Sequence, residues 1–348
     1  MSAAEFALRP RVLSVMPTYR CTAACKFCGT RSTPKESTRL TVEEITSAIA
    51  QAADLNYELV VFTGGEATLI EEDLAYCIRF AHARSLRTRL VTNGHWCSWN
   101  HTNLYLDTLR DVGLGEINFS TGDQHARFVP LENVVRGVCG ALSMSMPVSV
   151  MVELSEPHTI TKRSIEVHPD LRFYRDTYKD SYLHIDESPW MPLNPQRLGK
   201  YPEGRVCNAR NVRQRKGCES VLQTTTIQAD GTINACCGIG LRDIPELHLG
   251  RLGETPLSEA DRAAADDFLK RWIRIEGPER ILAWAAGHEP SIEWENQYAH
   301  PCQACKRIYT DARVRKVISE KHTEKFFDVL FAEALRYAVG KDLVDRSS

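Results

Sequence analysis

Three cysteines stand within eight residues of one another in Tyr19-Arg20-Cys21-Thr22-Ala23-Ala24-Cys25-Lys26-Phe27-Cys28-Gly29. Thiols spaced this closely on a loop can converge on one metal centre, and in an iron-sulfur cubane three protein ligands leave the fourth iron open. A structural zinc site takes four ligands, normally as paired Cys-x-x-Cys, and the triplet supplies no obvious fourth. A second group is spread along the C-terminal half. Cys218 and Cys236 flank an expected hairpin, with Gly231 five residues before Cys236, and Cys302 and Cys305 follow in Pro301-Cys302-Gln303-Ala304-Cys305. Four thiols suit a closed iron-sulfur cluster or a four-cysteine zinc site. Twelve cysteines in all are many for a reducing compartment, where disulfides do not persist, so ligand, redox and core roles must divide them.

The elements that must position these thiols follow from periodicity. Short apolar runs at 12–16, 59–63, 88–92, 116–120, 148–154 and 182–186 read as six strands. Helical patterns near 42–55, 71–84, 102–112 and 132–142 lie between them, with a poorer one around 164–174. Thr41 and Glu44 form a capping-box pattern ahead of Val42, Ile45, Ile49 and Ala53 on one helical face. Alternating strands and helices imply α/β class and a partial (β/α)6 TIM-like barrel, in which function gathers at the C-terminal strand ends. The thiol triplet falls at the first such end. Pro189, Pro192, Pro195, Gly199, Pro202 and Gly204 then break the period. A C-terminal α+β iron-sulfur subdomain is expected beyond, giving a barrel over 1–196, a cluster subdomain over 197–310 and terminal helices over 311–348. Within it, 221–228 and 232–235 read as a hairpin about Asp230-Gly231, and helical patterns cover 258–275, 278–286, 307–318 and 323–339.

The triplet, with aromatic Phe27 before its last cysteine, resembles the Cys-x3-Cys-x2-Cys signature of the radical S-adenosylmethionine superfamily. Thr63-Gly64-Gly65-Glu66, just past the second strand, is similar to that family's Gly-Gly-Glu element. The resemblance runs from Val12 to Cys305. It implies a catalytic 4Fe-4S cluster on Cys21, Cys25 and Cys28, whose open iron chelates S-adenosylmethionine, and a 5'-deoxyadenosyl radical that abstracts a substrate hydrogen. Phe27, Gly64, Gly65, Glu66, Asn93, Ser120 and Asp123 are the cofactor-binding candidates it implies. Glu66 would accept from the methionine ammonium, while Asn93 and Ser120 could equally be turn formers. Cys218, Cys236, Cys302 and Cys305 look like the ligands of a twitch-type extension holding an auxiliary 4Fe-4S cluster, with zinc as the alternative. Cys77 and Cys139 read as core. Cys237 and Cys207 are candidate hydrogen donors, as in radical epimerases of similar architecture.

Such enzymes cross-link, thioether-bridge or epimerise ribosomally made peptides, oxidise protein residues, or dehydrogenate and epimerise sugars and aminocyclitols. Peptide modification leads, supported by the basic stretch of Arg197, Lys200, Arg205, Arg210, Arg213, Arg215 and Lys216, which could grip an anionic substrate or simply be solvated. The twenty residues before Cys21 leave no room for a separate peptide-recognition domain, which weakens that choice. A small-molecule dehydrogenase or epimerase is the alternative, and a non-enzymatic zinc protein a more distant one. A flavodoxin- or ferredoxin-type electron donor is implied. A net charge of −2 argues against a whole-molecule nucleic-acid binder, and the absence of a signal peptide or long apolar run points to a cytoplasmic, membrane-free protein.

Overall fold

The computed structural model describes residues 11–98, 101–154, 158–189, 201 and 204–345. Six parallel strands, β1 (Val12–Val15), β2 (Leu59–Phe62), β3 (Arg87–Thr92), β4 (Glu116–Thr121), β5 (Val148–Leu154) and β6 (Leu183–Pro189), pair in sequence order. Helices α1 (Val42–Asp54), α2 (Glu72–His82), α3 (Thr102–Asp111) and α4 (Leu131–Ser143) make the crossovers. The arrangement is a mixed α/β fold with the partial TIM-like barrel expected from periodicity. Thr41 caps α1 through the anticipated capping box, and Ile45, Ala48, Ile49 and Ala52 form its buried face. A continuous apolar core fills the space between strands and helices, with Leu13, Phe62, Leu90 and Phe119 at its centre.

Several helical patterns divide where one residue overrides the period. The run at 164–174 becomes α5 (Lys162–Glu166) and α6 (Pro169–Thr177), because Pro169 cannot donate within a helix and instead opens one. The run at 258–275 splits into α7 (Leu257–Asp266) and α8 (Phe268–Glu276). Asp267 sits between them and caps α8, accepting from the Leu269 and Lys270 N–H groups. The same happens farther on. Helix α9 (Pro278–His288) is followed by α10 (Pro301–Thr310), and Asp311 breaks the chain and caps α11 (Ala312–Lys321). Helix α12 (Phe326–Asp345) closes the described chain.

The hairpin forms as β7 (Thr224–Ile227) and β8 (Thr232–Asn234), and β9 (His248–Arg251), not anticipated, adds to it antiparallel. Its placement is the main departure from expectation. β7 pairs parallel with β1, Val12 opposite Thr224 through Val15 opposite Ile227, so one sheet of nine strands runs β6-β5-β4-β3-β2-β1-β7-β8-β9. The C-terminal region is thus hydrogen-bonded to the first barrel strand. A second apolar core, built on Trp272, Ile281, Leu282, Tyr298 and Ile308, gathers α8 to α11 and also takes in Met16 and Tyr19 from the loop after β1. The expected boundary at 196/197, with Pro192, Pro195, Arg197, Gly199, Lys200 and Pro202, lies outside the described residues. No helix among the described residues is long and apolar enough to cross a membrane.

Candidate active site

The C-terminal ends of all six parallel strands open on one cavity of about 300 Å³. β1 delivers Cys21, Cys25, Phe27 and Cys28; β2 delivers Thr63, Gly64 and Gly65; β3 delivers Thr92 and Asn93. Ser120 and Thr121 come from β4, Met151 and Glu153 from β5, and Ser188 and Pro189 from β6. All three thiols of the triplet face this space, where barrel topology concentrates reactive groups.

The thiol loop is laced to the Gly-Gly-Glu turn. The Gly65 N–H donates to the Thr18 carbonyl at 2.9 Å and the Glu66 N–H to the Arg20 carbonyl at 2.8 Å. A Cβ on Gly65 would stand 2.1 Å from the Arg20 carbonyl oxygen, and Gly64 holds a φ of +107°, so only glycine permits the approach. Sulfur partners are prearranged: Cys21 Sγ accepts from the Ala23 N–H at 3.4 Å and from Asn93 Nδ2 at 3.5 Å. Asn93 Nδ2 also donates to Thr22 Oγ1 at 3.0 Å. Burial pushes the Cys21 thiol up to about 11, and burial together with the Cys28 and Cys21 sulfurs pushes Cys25 up to about 12. Such thiols lose their protons only when a cation compensates the charge, which is what a shared metal centre does. The donor set therefore fits a cluster held by three thiolates.

Glu66, expected to face the ligand, is instead buried and enclosed. One carboxylate oxygen accepts from Thr68 Oγ1 at 2.7 Å and Thr92 Oγ1 at 2.8 Å, and the other from the Asn93 N–H at 2.8 Å. It caps the 3-10 turn at Ala67–Ile70 and ties the end of β2 to that of β3, so it shapes the cavity without lining it. Asp123 is likewise committed elsewhere, accepting from the N–H groups of Thr159 at 2.8 Å and Ile160 at 3.3 Å. Phe27, Gly64, Gly65, Asn93 and Ser120 lie in the lining as expected.

Among the lining residues that the sequence reading did not single out are His125, Glu153, Ile239 and His300. His125 Nδ1 lies 2.8 Å from Glu153 Oε2, and the same buried carboxylate accepts from the Gln124 N–H. The pair orients the loop after β4. From the C-terminal region come Ile239, packed so closely on Gly29 that a Cβ there would stand 2.7 Å from it, and His300. His300 caps α10: its Nδ1 accepts from the Cys302 N–H at 3.1 Å, which leaves the ring proton on Nε2. Burial holds its imidazole down at about 4.

The second thiol set is drawn together by that region. Cys236 follows β8 and is buried; Cys302 and Cys305 lie one turn apart on α10; the Cys218 N–H donates to the Ile273 carbonyl at 3.0 Å. A Cβ on Gly238 would stand 3.1 Å from Cys302 Sγ and 3.6 Å from Cys236 Sγ, so both sulfurs border one point that a side chain would fill. Backbone donors serve the sulfurs: Ser220 and Val221 for Cys218, Gly238 for Cys236, Ile239 for Cys302. Burial and the Cys218 sulfur raise Cys302 to about 12. Four thiols, three of them with backbone donors aimed at the sulfur, fit a closed cluster. No group of three or more His, Cys, Asp or Glu side chains among the described residues surrounds a single-ion position. Cys207 is fully buried, its N–H donating to the Tyr298 carbonyl at 2.7 Å, and Cys237 is exposed with its sulfur 3.1 Å from Ser220 Oγ. Neither is in the cavity lining. Cys77 and Cys139 are buried in the barrel core, where they were expected.

Comparison with known proteins agrees with this geometry. The Radical SAM superfamily profile matches residues 15–121, which hold the triplet, the glycine turn and Ser120. The chain is 32% identical over 117 residues to the PqqA peptide cyclase of Rhizobium meliloti (strain 1021), a stretch covering 32% of this chain and 30% of that protein. The match thus spans under a third of the relative's length. In fold, anSMEcpe with bound AdoMet is similar at a TM-score of 0.55 and 12% identity, covering 93% of this chain and 99% of the other. Streptococcus suis SuiB bound to precursor peptide SuiA gives 0.54 at 14% identity, covering 76% and 67%. Residues 15–121 are thus the part of the chain that is similar to the radical SAM superfamily, and the solved structures share its fold.

Proposed function

We propose that this chain cleaves S-adenosylmethionine reductively and modifies a ribosomally made peptide. The observation that carries the reading is the convergence of Cys21, Cys25 and Cys28 with the Gly64-Gly65 turn on one cavity at the strand ends. When bound there, a 4Fe-4S cluster supplies the electron and the open iron at which S-adenosylmethionine is cleaved to methionine and a 5'-deoxyadenosyl radical. The protein's share is placement. Gly64 and Gly65 let backbone approach the methionine end, Asn93 and Ser120 offer hydrogen bonds, and Phe27 and Ile239 add apolar wall to the cavity.

A peptide substrate is supported by what similar proteins act on or bind: a peptide cyclase in sequence, and in fold SuiB with its precursor peptide and anSMEcpe with a Cys-containing peptide. In this reading Cys218, Cys236, Cys302 and Cys305 hold an auxiliary 4Fe-4S cluster that exchanges electrons, since four protein ligands leave no iron open. A flavodoxin- or ferredoxin-type protein delivers the first electron. Anaerobic incubation with dithionite, S-adenosylmethionine and candidate precursor peptides should yield 5'-deoxyadenosine and a peptide of changed mass or deuterium content. Absence of 5'-deoxyadenosine sinks the radical reading. Its formation with an unchanged peptide, and a dehydrogenated aminocyclitol or sugar instead, sinks the peptide reading alone.

A further inference from the structure

Helix α10 carries more toward the second thiol set than its two cysteines. Cys302, Cys305 and Tyr309 fall at positions i, i+3 and i+7, so the three side chains form one stripe along the helix. Tyr309 is 5% exposed, and among the described residues its hydroxyl has no hydrogen-bond partner. A phenol oxygen left buried and unpaired has lost its hydration with nothing in return, so such a group calls for a partner. On this stripe Tyr309 stands one turn beyond Cys305, and the groups whose charge reaches it are Cys305, Asp267, Cys236 and Glu246. The nearby carboxylate of Asp267 is already engaged: one oxygen accepts from the Leu269 and Lys270 N–H groups, and the other pairs with Lys270 Nζ at 2.5 Å. Glu246 faces Arg315 at 3.5 Å.

We propose that the Tyr309 hydroxyl donates a hydrogen bond to a sulfur of the auxiliary cluster and thereby raises its reduction potential. The proposal rests on the auxiliary-cluster reading above. Reduction adds negative charge that is shared by the sulfurs, so a fixed O–H dipole aimed at one of them stabilises the reduced state more than the oxidised one. Backbone donors already serve Cys218, Cys236 and Cys302, and Tyr309 adds a side-chain donor from the face of α10 that holds Cys305.

The test is an EPR-monitored redox titration of the anaerobically reconstituted full chain, with the auxiliary signal taken as the one that S-adenosylmethionine does not perturb. Tyr309→Phe should move its midpoint to more negative potential at unchanged iron content. Site-specific 3-fluorotyrosine at 309, a stronger donor of nearly the same shape, should move it the opposite way. Tyr57→Phe serves as control: that buried tyrosine bonds Thr225 and Asp261, and its loss should leave the midpoint in place. A midpoint unmoved by both changes at 309 overturns the proposal. If Tyr309→Phe loses iron, the fluorotyrosine protein decides. Four irons plus one zinc per chain would remove the auxiliary cluster and this inference with it, while leaving the catalytic signal intact.

Discussion

The two thiol sets are built on opposite plans. Cys21, Cys25 and Cys28 ride a loop, supply three sulfurs and face a cavity shared by six strand ends. Cys218, Cys236, Cys302 and Cys305 number four, draw on a helix and a hairpin, and sit against a core of Trp272, Tyr298 and Ile308. A loop with three donors suits chemistry at an exposed corner of a cluster. A set with four donors, sealed by packing, suits storage or passage of an electron. Ile239 on Gly29 joins the two regions, as do Arg31 and Lys306, which both pair with Asp243.

Substitutions should separate the two plans. Cys25→Ala, read by chromatography of 5'-deoxyadenosine, should drop cleavage to background while about four irons remain at the second set. Cys305→Ala should lose about four irons yet keep cleavage within about tenfold of the parent, with the modified peptide absent. Equal loss of cleavage in both variants would erase the distinction. His300→Asn keeps a side-chain oxygen to cap α10 and removes the Nε2–H from the cavity. Iron content should hold, and the apparent affinity for peptide should weaken by up to about tenfold, on the scale of one hydrogen bond. Loss of iron would instead assign His300 to the cluster fold.

The smallest effect concerns the seam between regions. Asp261 of α7 accepts from Tyr57 Oη of the barrel at 2.9 Å and from Thr225 Oγ1 of β7 at 3.0 Å, and burial raises its carboxyl from 3.8 to about 6. The folded chain therefore holds this proton after the unfolded chain has released it, so the group's contribution declines as pH rises from about 4 to 6 and is constant above. Thermal melting of Asp261→Asn against the parent across that range should show the parent losing relative stability with rising pH. A parallel pair of curves would contradict the assignment.

Much of the barrel was legible because its signals are local. The six apolar runs, the Thr41–Glu44 box and the motifs at strand ends need only neighbouring residues to be read, and five of the seven cofactor candidates do line the cavity. The loop ties of Glu66 and Asp123 were not legible, because a carboxylate after a strand looks the same in sequence whatever partners it finds. The pairing of His125 with Glu153 spans 28 residues, and β7 joins β1 across some two hundred, so no periodicity announces either. Asp267 and Asp311 did carry a local sign. Each is a capping residue inside an apolar period, and the cap, which stabilises the new helix start by about 1 kcal/mol, won over the period.

The central claim is that three loop sulfurs hold a cluster with one iron free for S-adenosylmethionine. Its most direct measurement is the EPR spectrum of the dithionite-reduced chain before and after S-adenosylmethionine is added. A signal whose g-values shift on addition, and which is missing from Cys21→Ala, Cys25→Ala and Cys28→Ala proteins, is the predicted result. A spectrum indifferent to S-adenosylmethionine in a chain with its full iron complement would contradict it.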